Sequence, residues 1–577
     1  MADFDFIGDA QVSSWEEVSR QLALVKSRPQ KPLPATRADY LQAISQGPAF
    51  LTFDFGIDGV SIEIAKYARV LEALYQPDVD ARLHFIAGDF HPQADAVLKP
   101  QWSRCQIDGI NGWSKWDEGK WFSALYLEDM PAGSRRSSEL ATEVYRQANV
   151  IAGELADYLV TNNIGLLFPV NVASNPGNLA LTLALALATE ALGILVINSN
   201  HDFYWDGGKP AAERQPGDEP GERDHFFRNI HNEPFFSLFQ KLYPWRGRRW
   251  LQVNINRRQS ERLVKEHRFP RRKVREISTC VGDTLFAAYT DDDVKHARLR
   301  MAQILSNGSA EIRPRSLDEH RRELHEWMNH QRPRVIGARD GLELELTAED
   351  IIYLLQPTRV IARKRIERSV ELVQALLQGP MRAAFERKPD RQVVLHITGP
   401  TPQEHQGDLE TILDAYGELI GSLPQAIAER VFLAFSSGRE SHPSFDEHCF
   451  EDMTIADIFR LATAVLVPSE IEGRGLPIIE SGAVGVPIIC SRYRPEVVFA
   501  DVIGEDLPEA SRIHYLLFPE GHLPEAFLEE ASDLLTRPEI WTKWRKHNRQ
   551  AIRSRFSVAA LSTAFQHLLV HSYEVAA

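Results

Sequence analysis

Along most of this 577-residue chain, short β-branched apolar runs alternate with longer stretches whose apolar residues recur at helical spacing. Parallel strands cannot be joined by a tight turn and need a crossover, so this alternation predicts βαβ units and parallel sheets. In the first half, strands are expected at 49–55, 82–87, 164–170, 194–199, 250–255 and 274–279. In the second half they are expected at 351–355, 392–398, 431–434, 464–467 and 486–490. The helix after the first strand puts Ile62, Ala65, Ala68, Leu71 and Leu74 on one face. The stretch 291–350 is rich in Arg, Glu and His, is broken by Pro314 and Pro333, and reads as a helical connector. The expected domains are therefore 1–290, a connector at 291–345, a second domain at 346–555, and a last helix at 556–577 packing back toward the first. The fold class is α/β, with two Rossmann-like domains facing a central cleft and ligands outside the carboxyl ends of the strands.

Charge and apolar patterning exclude several classes. A net charge of −15 disfavours an extended nucleic-acid surface. The longest apolar run, 179–197, is interrupted by Thr182, Thr189, Glu190 and Gly193, so it reads as a buried helix followed by a strand rather than a membrane span. The acidic amino terminus has no apolar export segment, and Cys105, Cys280, Cys449 and Cys490 are too far apart for a paired metal or redox spacing. A cytoplasmic protein with reduced thiols is expected, without nucleic-acid partners or an integral membrane segment; a homo-oligomer is compatible with the sequence.

The segment PSEIEGRGLPIIESGAVGVPIICS (468–491) carries the strongest chemical signal. It follows a strand, turns through Gly473 and Gly475, and enters a helix at Leu476. Bare glycine backbone and the first amides of a helix form an anion cradle. Glu480, about one turn into the helix, can accept two hydroxyl hydrogen bonds from a ribose. Glu472, at the loop mouth, can do the same for a hexose. A strand–loop–helix with surface glutamates is the plain alternative; the joint occurrence of both carboxylates, the glycines, Pro477 and the GVP turn argues against it.

A second segment, QPTRVIARKRIERSVELVQAL (356–376), places Arg359 and Lys364 on the turn into a helix. An Arg fork with a Lys point charge suits a diphosphate. Alone, the basic run 363–368 would read as a solvated face; its place after the first strand of the second half favours the clamp. In FDFGIDGVSIEIAKYARVLEAL (53–74), Gly56 and Gly59 permit close approach to a phosphate or sugar, Ser61 is a candidate helix cap, and Asp58 is a candidate for acceptor hydroxyls. His201 and Asp202 fall just beyond another strand; a capped loop residue is the alternative for the histidine. Asn171, Asn175 and Asn178 either line an acceptor side or form a turn and helix cap. The cluster Phe203, Tyr204, Trp205, Phe226, Phe227, Phe235, Phe236 and Trp245 is either plain packing or a wall on which a sugar stacks. The loop 207–224 is either a solvated excursion or a neighbour of the site.

The segment 468–491 resembles the Glu-x7-Glu signature of retaining GT-B glycosyltransferases, the large group that includes sucrose synthases and bacterial α-mannosyltransferases. The usual form is E-G-F-G-L-P-x-x-E-A-x-A-x-G-x-P; here Arg474 stands where an aromatic is common and Ser481 where Ala usually follows. Arg359 and Lys364 match the family's R-x4-K-G, with Arg365 in place of the glycine. The resemblance implies catalytic roles for Arg359, Lys364, Glu472 and His201. It implies donor contacts from Glu480, Gly473, Arg474, Gly475, Leu476, Gly56 and Gly59, and acceptor contacts from Asp58, Asp202 and Asn175. No metal ligand and no cofactor are implied, because the nucleotide sugar is itself a substrate. The expected reaction moves a hexose, with retention, from a UDP- or GDP-linked donor to an acceptor hydroxyl of a small sugar or polyol derivative. A silent sugar-nucleotide-binding subunit and a GT-B glycoside phosphorylase are the alternatives. Asp-x-Asp, GxxxxGK[ST], GxSxG and HExxH motifs are absent, and no lysine segment of the pyridoxal-phosphate type stands out.

Overall fold

The computed structural model describes residues 11–29, 32–56, 58–75, 82–112, 128–205, 229–306, 333–339, 341–346, 350–399, 406–436 and 453–576. The loop 207–224, Phe226, Phe227, Cys449, Pro314 and the amino-terminal ten residues lie outside these. The chain forms two compact units: Met1–Thr279 with Leu561–Ala577, and Cys280–Ala560.

The first unit carries strands β1 (Pro48–Leu51), β2 (Asp54–Phe55), β3 (His84–Ala87), β4 (Asp89–Phe90), β5 (Ser103–Gln106), β6 (Leu166–Pro169), β7 (Leu195–Asn200), β8 (Trp250–Asn254) and β9 (Val274–Glu276). Seven of them make a sheet in the order β5-β3-β1-β6-β7-β8-β9, and every pairing is parallel. Its helices include α1 (Gly59–Tyr75), α2 (Arg135–Thr161) and α3 (Leu179–Leu192). α3, with the sequence LALTLALALATEAL, is apolar on every side, which only a helix enclosed by protein can tolerate. Asn178 caps its start, and Gly193, at φ 66°, supplies the left-handed residue that ends it. The 179–197 run is therefore a buried helix followed by β7. The last helix returns to this unit, where Tyr40 Oη and Ser572 Oγ lie 3.0 Å apart and Phe565 packs on Tyr67.

The second unit contains β10 (Arg334–Ile336), β11 (Ile351–Gln356), β12 (Gln392–Thr398), β13 (Val431–Ser436), β14 (Ala464–Val467), β15 (Ile488–Cys490) and β16 (Leu516–Leu517). Their order is β10-β13-β12-β11-β14-β15-β16, parallel except for the antiparallel β10–β13 edge. Each face of this sheet has its own apolar cluster, so the central strands read as continuous hydrophobic runs. α4 (Asp291–Ser306), within the stretch read as a connector, is a helix of this unit, and its Arg300 meets Asp457 at 3.3 Å. α5 (Ile366–Gln378) follows β11, and α6 (Leu476–Val484) follows β14.

All eleven expected strands occur, with ends shifted by a few residues; the first stops at Leu51 and resumes as β2. β4, β5, β10 and β16 were not expected. They are two to four residues long, and β5, with the sequence SRCQ, alternates half-buried with exposed positions, so none makes an apolar run.

Candidate functional site

Both sheets reverse their winding once. In the second unit the chain runs outward from β11 to β12 and β13, then returns to β14 and runs the other way through β15 to β16. The crevice at such a reversal, outside the carboxyl ends of the two central strands, is where open α/β sheets bind ligands. The segments leaving β11 and β14 are 357–365 and 468–475, which contain the two basic residues and the first glutamate singled out from the sequence.

These segments meet through a buried ion pair. Lys364 Nζ lies 2.5 Å from Glu472 Oε1, and the two residues are only 8 % and 7 % exposed. Burial depresses the Lys364 pKa, and Glu472 opposes that shift; the nearby Arg363 and Arg359 guanidiniums add to the depression. Three cations thus act around one carboxylate, and the excess positive charge suits an incoming polyanion. Backbone bonds hold the crossing in place: Glu470 N–H donates to Arg363 O, Arg494 N–H to Glu470 O, and Glu472 N–H to Arg494 O. Arg359 is exposed, on the turn after β11.

Beyond Glu472 the backbone is open. A Cβ at Gly473 would meet nothing within 4 Å. Gly475 adopts φ 59° and serves as the N-cap of α6 without any side-chain cap bond. Since Pro477 has no N–H, the amides available to an anion here belong to the 473–476 segment. Arg474 and Leu476 are half-buried, and Glu480 is half-buried on the second turn of α6. A Cβ at Gly475 would lie 2.3 Å from the hydroxyl of Tyr493, a fully buried ring packed edge-on against Phe499. Burial and the Glu472 carboxylate hold Tyr493 protonated. Sequence reasoning missed Tyr493; its one signal was a position just past the end of β15.

In the first unit the reversal lies between β1 and β6. Asp58 is the cap of α1: its carboxylate accepts from Val60 N–H at 2.7 Å, Ser61 N–H at 3.0 Å and the Ser61 hydroxyl at 2.6 Å. The cap expected from Ser61 is thus supplied by Asp58, while the Ser61 hydroxyl accepts from Gly56 N–H at 3.2 Å. A Cβ at Gly56 would approach the His91 ring to 3.2 Å, whereas Gly59 faces open space. Asn171, in the left-handed region at φ 61°, donates to the Asp202 carboxylate at 3.0 Å and accepts from Asp202 N–H at 2.9 Å. His201 is half-buried, with Nε2 3.4 Å from Ser199 Oγ and its carbonyl accepting from Gln259. Asn175 is half-buried in the turn before α3. Asn178 is structural, since it caps α3 and donates to Gly109 O and Asn111 O. The described aromatics are packing too: Phe203, Tyr204, Phe235 and Trp245 are at most 5 % exposed, and Trp205 stacks on Phe203 and His267.

No protein-family model matches the chain, and no curated protein matches it by sequence. Solved structures do match by fold. A glycosyltransferase from Rickettsia africae aligns with a TM-score of 0.52 and 13 % identity over 92 % of this chain and 99 % of its own. The Anabaena protein HepE, solved with UDP and glucose, gives 0.49 and 11 % over 91 % and 99 %; sucrose-phosphate synthase from Thermosynechococcus elongatus gives 0.49 and 14 % over 92 % and 99 %. The chain therefore has the α/β fold of GT-B proteins, with two Rossmann-like units.

Proposed function

We propose that this protein is a retaining glycosyltransferase that moves a hexose from a nucleotide-diphosphate donor to the hydroxyl of a small sugar or polyol derivative. The observation that carries the reading is the buried Lys364–Glu472 pair, set where the second sheet reverses and beside the uncapped start of α6. The likeness in fold to a glycosyltransferase agrees with it.

In this reading the donor diphosphate lies against Lys364, Arg359 and the 473–476 amides. Negative charge grows on that group as the glycosidic bond breaks, and preorganised cations and amides in a water-poor crevice lower the barrier most when aimed at it. Glu472 has two tasks: it fixes the Lys364 ammonium, and its remaining acceptor capacity holds hexose hydroxyls. Glu480 takes the ribose. Within the first unit, Gly56 and Gly59 permit close approach of a phosphate or sugar, and His201, Asp202, Asn175 and the exposed remainder of Asp58 offer groups for sugar and acceptor hydroxyls. The assigned charge neutralisation needs no metal ion, and the departing phosphate oxygen takes the acceptor proton on the same face.

A calorimetric screen of UDP, GDP and ADP and their hexose conjugates tests the proposal, followed by turnover with the conjugate that binds. Micromolar binding of one nucleotide and sugar transfer to a polyol or sugar acceptor are expected. Binding without turnover against any acceptor would make the chain a silent binding subunit, and phosphate-dependent release of a sugar 1-phosphate would make it a phosphorylase.

A further inference from the structure

A second polar cavity opens at the same sheet edge, beyond the 470–472 segment. It measures about 250 Å³, below the roughly 300–1,000 Å³ of pockets that enclose drug-sized ligands. Arg359, Lys364, Glu472 and Glu480 do not line it. Its walls come from the ends of β14, β15 and β16 and from the start of α5, so it lies to one side of the crevice between β11 and β14.

Four arginines, Arg365, Arg368, Arg492 and Arg494, line this cavity against two carboxylates, Glu470 and Glu520. Two of the arginines are committed to the fold. Arg368 donates to Pro519 O and pairs with Glu371, and Arg492 grips Glu505 with both terminal nitrogens. Arg494 is exposed, and no side-chain bond of its guanidinium is recorded among the described residues. Arg365 pairs with its near neighbour Glu367, feels the Glu470 and Glu371 carboxylates as well, and is 43 % exposed at the side chain. It sits at φ 50° as the N-cap of α5 and provides no side-chain cap. Two deeply buried serines complete the lining: Ser469 and Ser491, 2 % and 8 % exposed. Neither hydroxyl has a bonded partner among the described residues. The two serine hydroxyls, the Arg494 guanidinium and the part of Arg365 that Glu367 leaves exposed are the donors that a compact oxyanion requires.

We propose that this cavity is a second anion site, separate from the donor clamp, and that it takes a phosphate group, either as inorganic phosphate or as the phosphate of a small monoester. The backbone couples it to the clamp: Arg494 brackets the 470–472 segment, accepting from Glu472 N–H and donating to Glu470 O. An anion drawing on Arg494 therefore bears on the segment that carries the glutamate paired with Lys364.

Calorimetric titration of the full-length protein with inorganic phosphate, and separately with glucose 6-phosphate, tests the proposal. Saturable binding is expected for at least one probe, and the tighter of the two identifies the source of the phosphate. Arg365→Gln/Arg494→Gln should weaken it by about tenfold or more, while Lys364→Ala should change it less than about threefold. Arg494→Gln alone, at an exposed side chain, provides a variant whose unchanged melting temperature confirms folding. Loss of binding in Lys364→Ala with retention in the double variant would assign the anion to the donor clamp and overturn the proposal. Absence of saturable binding by the wild type to either probe would overturn it as well. Neither result bears on whether a nucleotide sugar is the donor.

Discussion

Replacing Gly475 with alanine tests the donor loop at its most constrained point. Two costs are legible. A side chain at φ 59° costs roughly 1–2 kcal/mol, because Cβ crowds the following carbonyl in the left-handed region. The new Cβ would also sit 2.3 Å from the Tyr493 hydroxyl, far inside van der Waals contact, and that ring is 1 % exposed and held by Phe499. Overpacking of this kind costs about 1–3 kcal/mol. Gly475→Ala should therefore destabilise the protein by about 2–5 kcal/mol and weaken donor binding through the displaced 473–476 amides. Tyr493→Phe removes the offending oxygen, leaving Cζ at 3.2 Å as the nearest atom. That hydroxyl is buried and without a hydrogen-bond partner among the described residues, so its loss alone should be neutral or mildly stabilising. In urea unfolding of the four proteins, the double variant should recover about 1–3 kcal/mol and retain the left-handed penalty. A coupling energy below about 0.5 kcal/mol would refute the contact as the cause.

Lys364→Ala should lower kcat by about 100- to 1000-fold with a much smaller loss of donor affinity, and Lys364→Arg should restore only part of the rate, as steady-state kinetics and calorimetry will show. Glu480→Ala should weaken donor binding by roughly 1.5–3 kcal/mol, the worth of hydrogen bonds to a charged acceptor, read by calorimetry. Activity should survive EDTA; complete loss restored only by Mg²⁺ or Mn²⁺ would contradict charge neutralisation by Lys364 and Arg359. His396 is buried between Tyr353 and Ser436, and burial lowers its pKa to about 3. Its neutral form is stabilising above the unfolded value of 6.5, and that contribution is lost as pH falls from 6.5 toward 3. Urea unfolding should show stability falling through this window, and His396→Gln should flatten the fall.

The architecture was legible because burial on both faces leaves a sequence little freedom. β11, β12 and β13 are dominated by apolar residues, and the mostly apolar 179–192 segment followed by Gly193 reads as an enclosed helix. The glutamates, glycines and basic residues after β11 and β14 were legible for a related reason: a bare backbone and concentrated charge at a strand end have few structural uses. What sequence left open was decided by contacts between distant segments. Nothing local shows that Glu472 would spend a carboxylate oxygen on Lys364, 108 residues earlier, or that Asp58 rather than Ser61 would cap α1. Nor does it show that the Tyr493 ring would lie under Gly475, or that Arg365 and Arg494 would line one cavity. Strand order governs such pairings, and strand order is fixed by which faces bury together, a property of the folded chain as a whole. Periodicity and turn chemistry act within a few residues and so specify elements; the charge environment of a side chain is summed over every segment the fold brings to it.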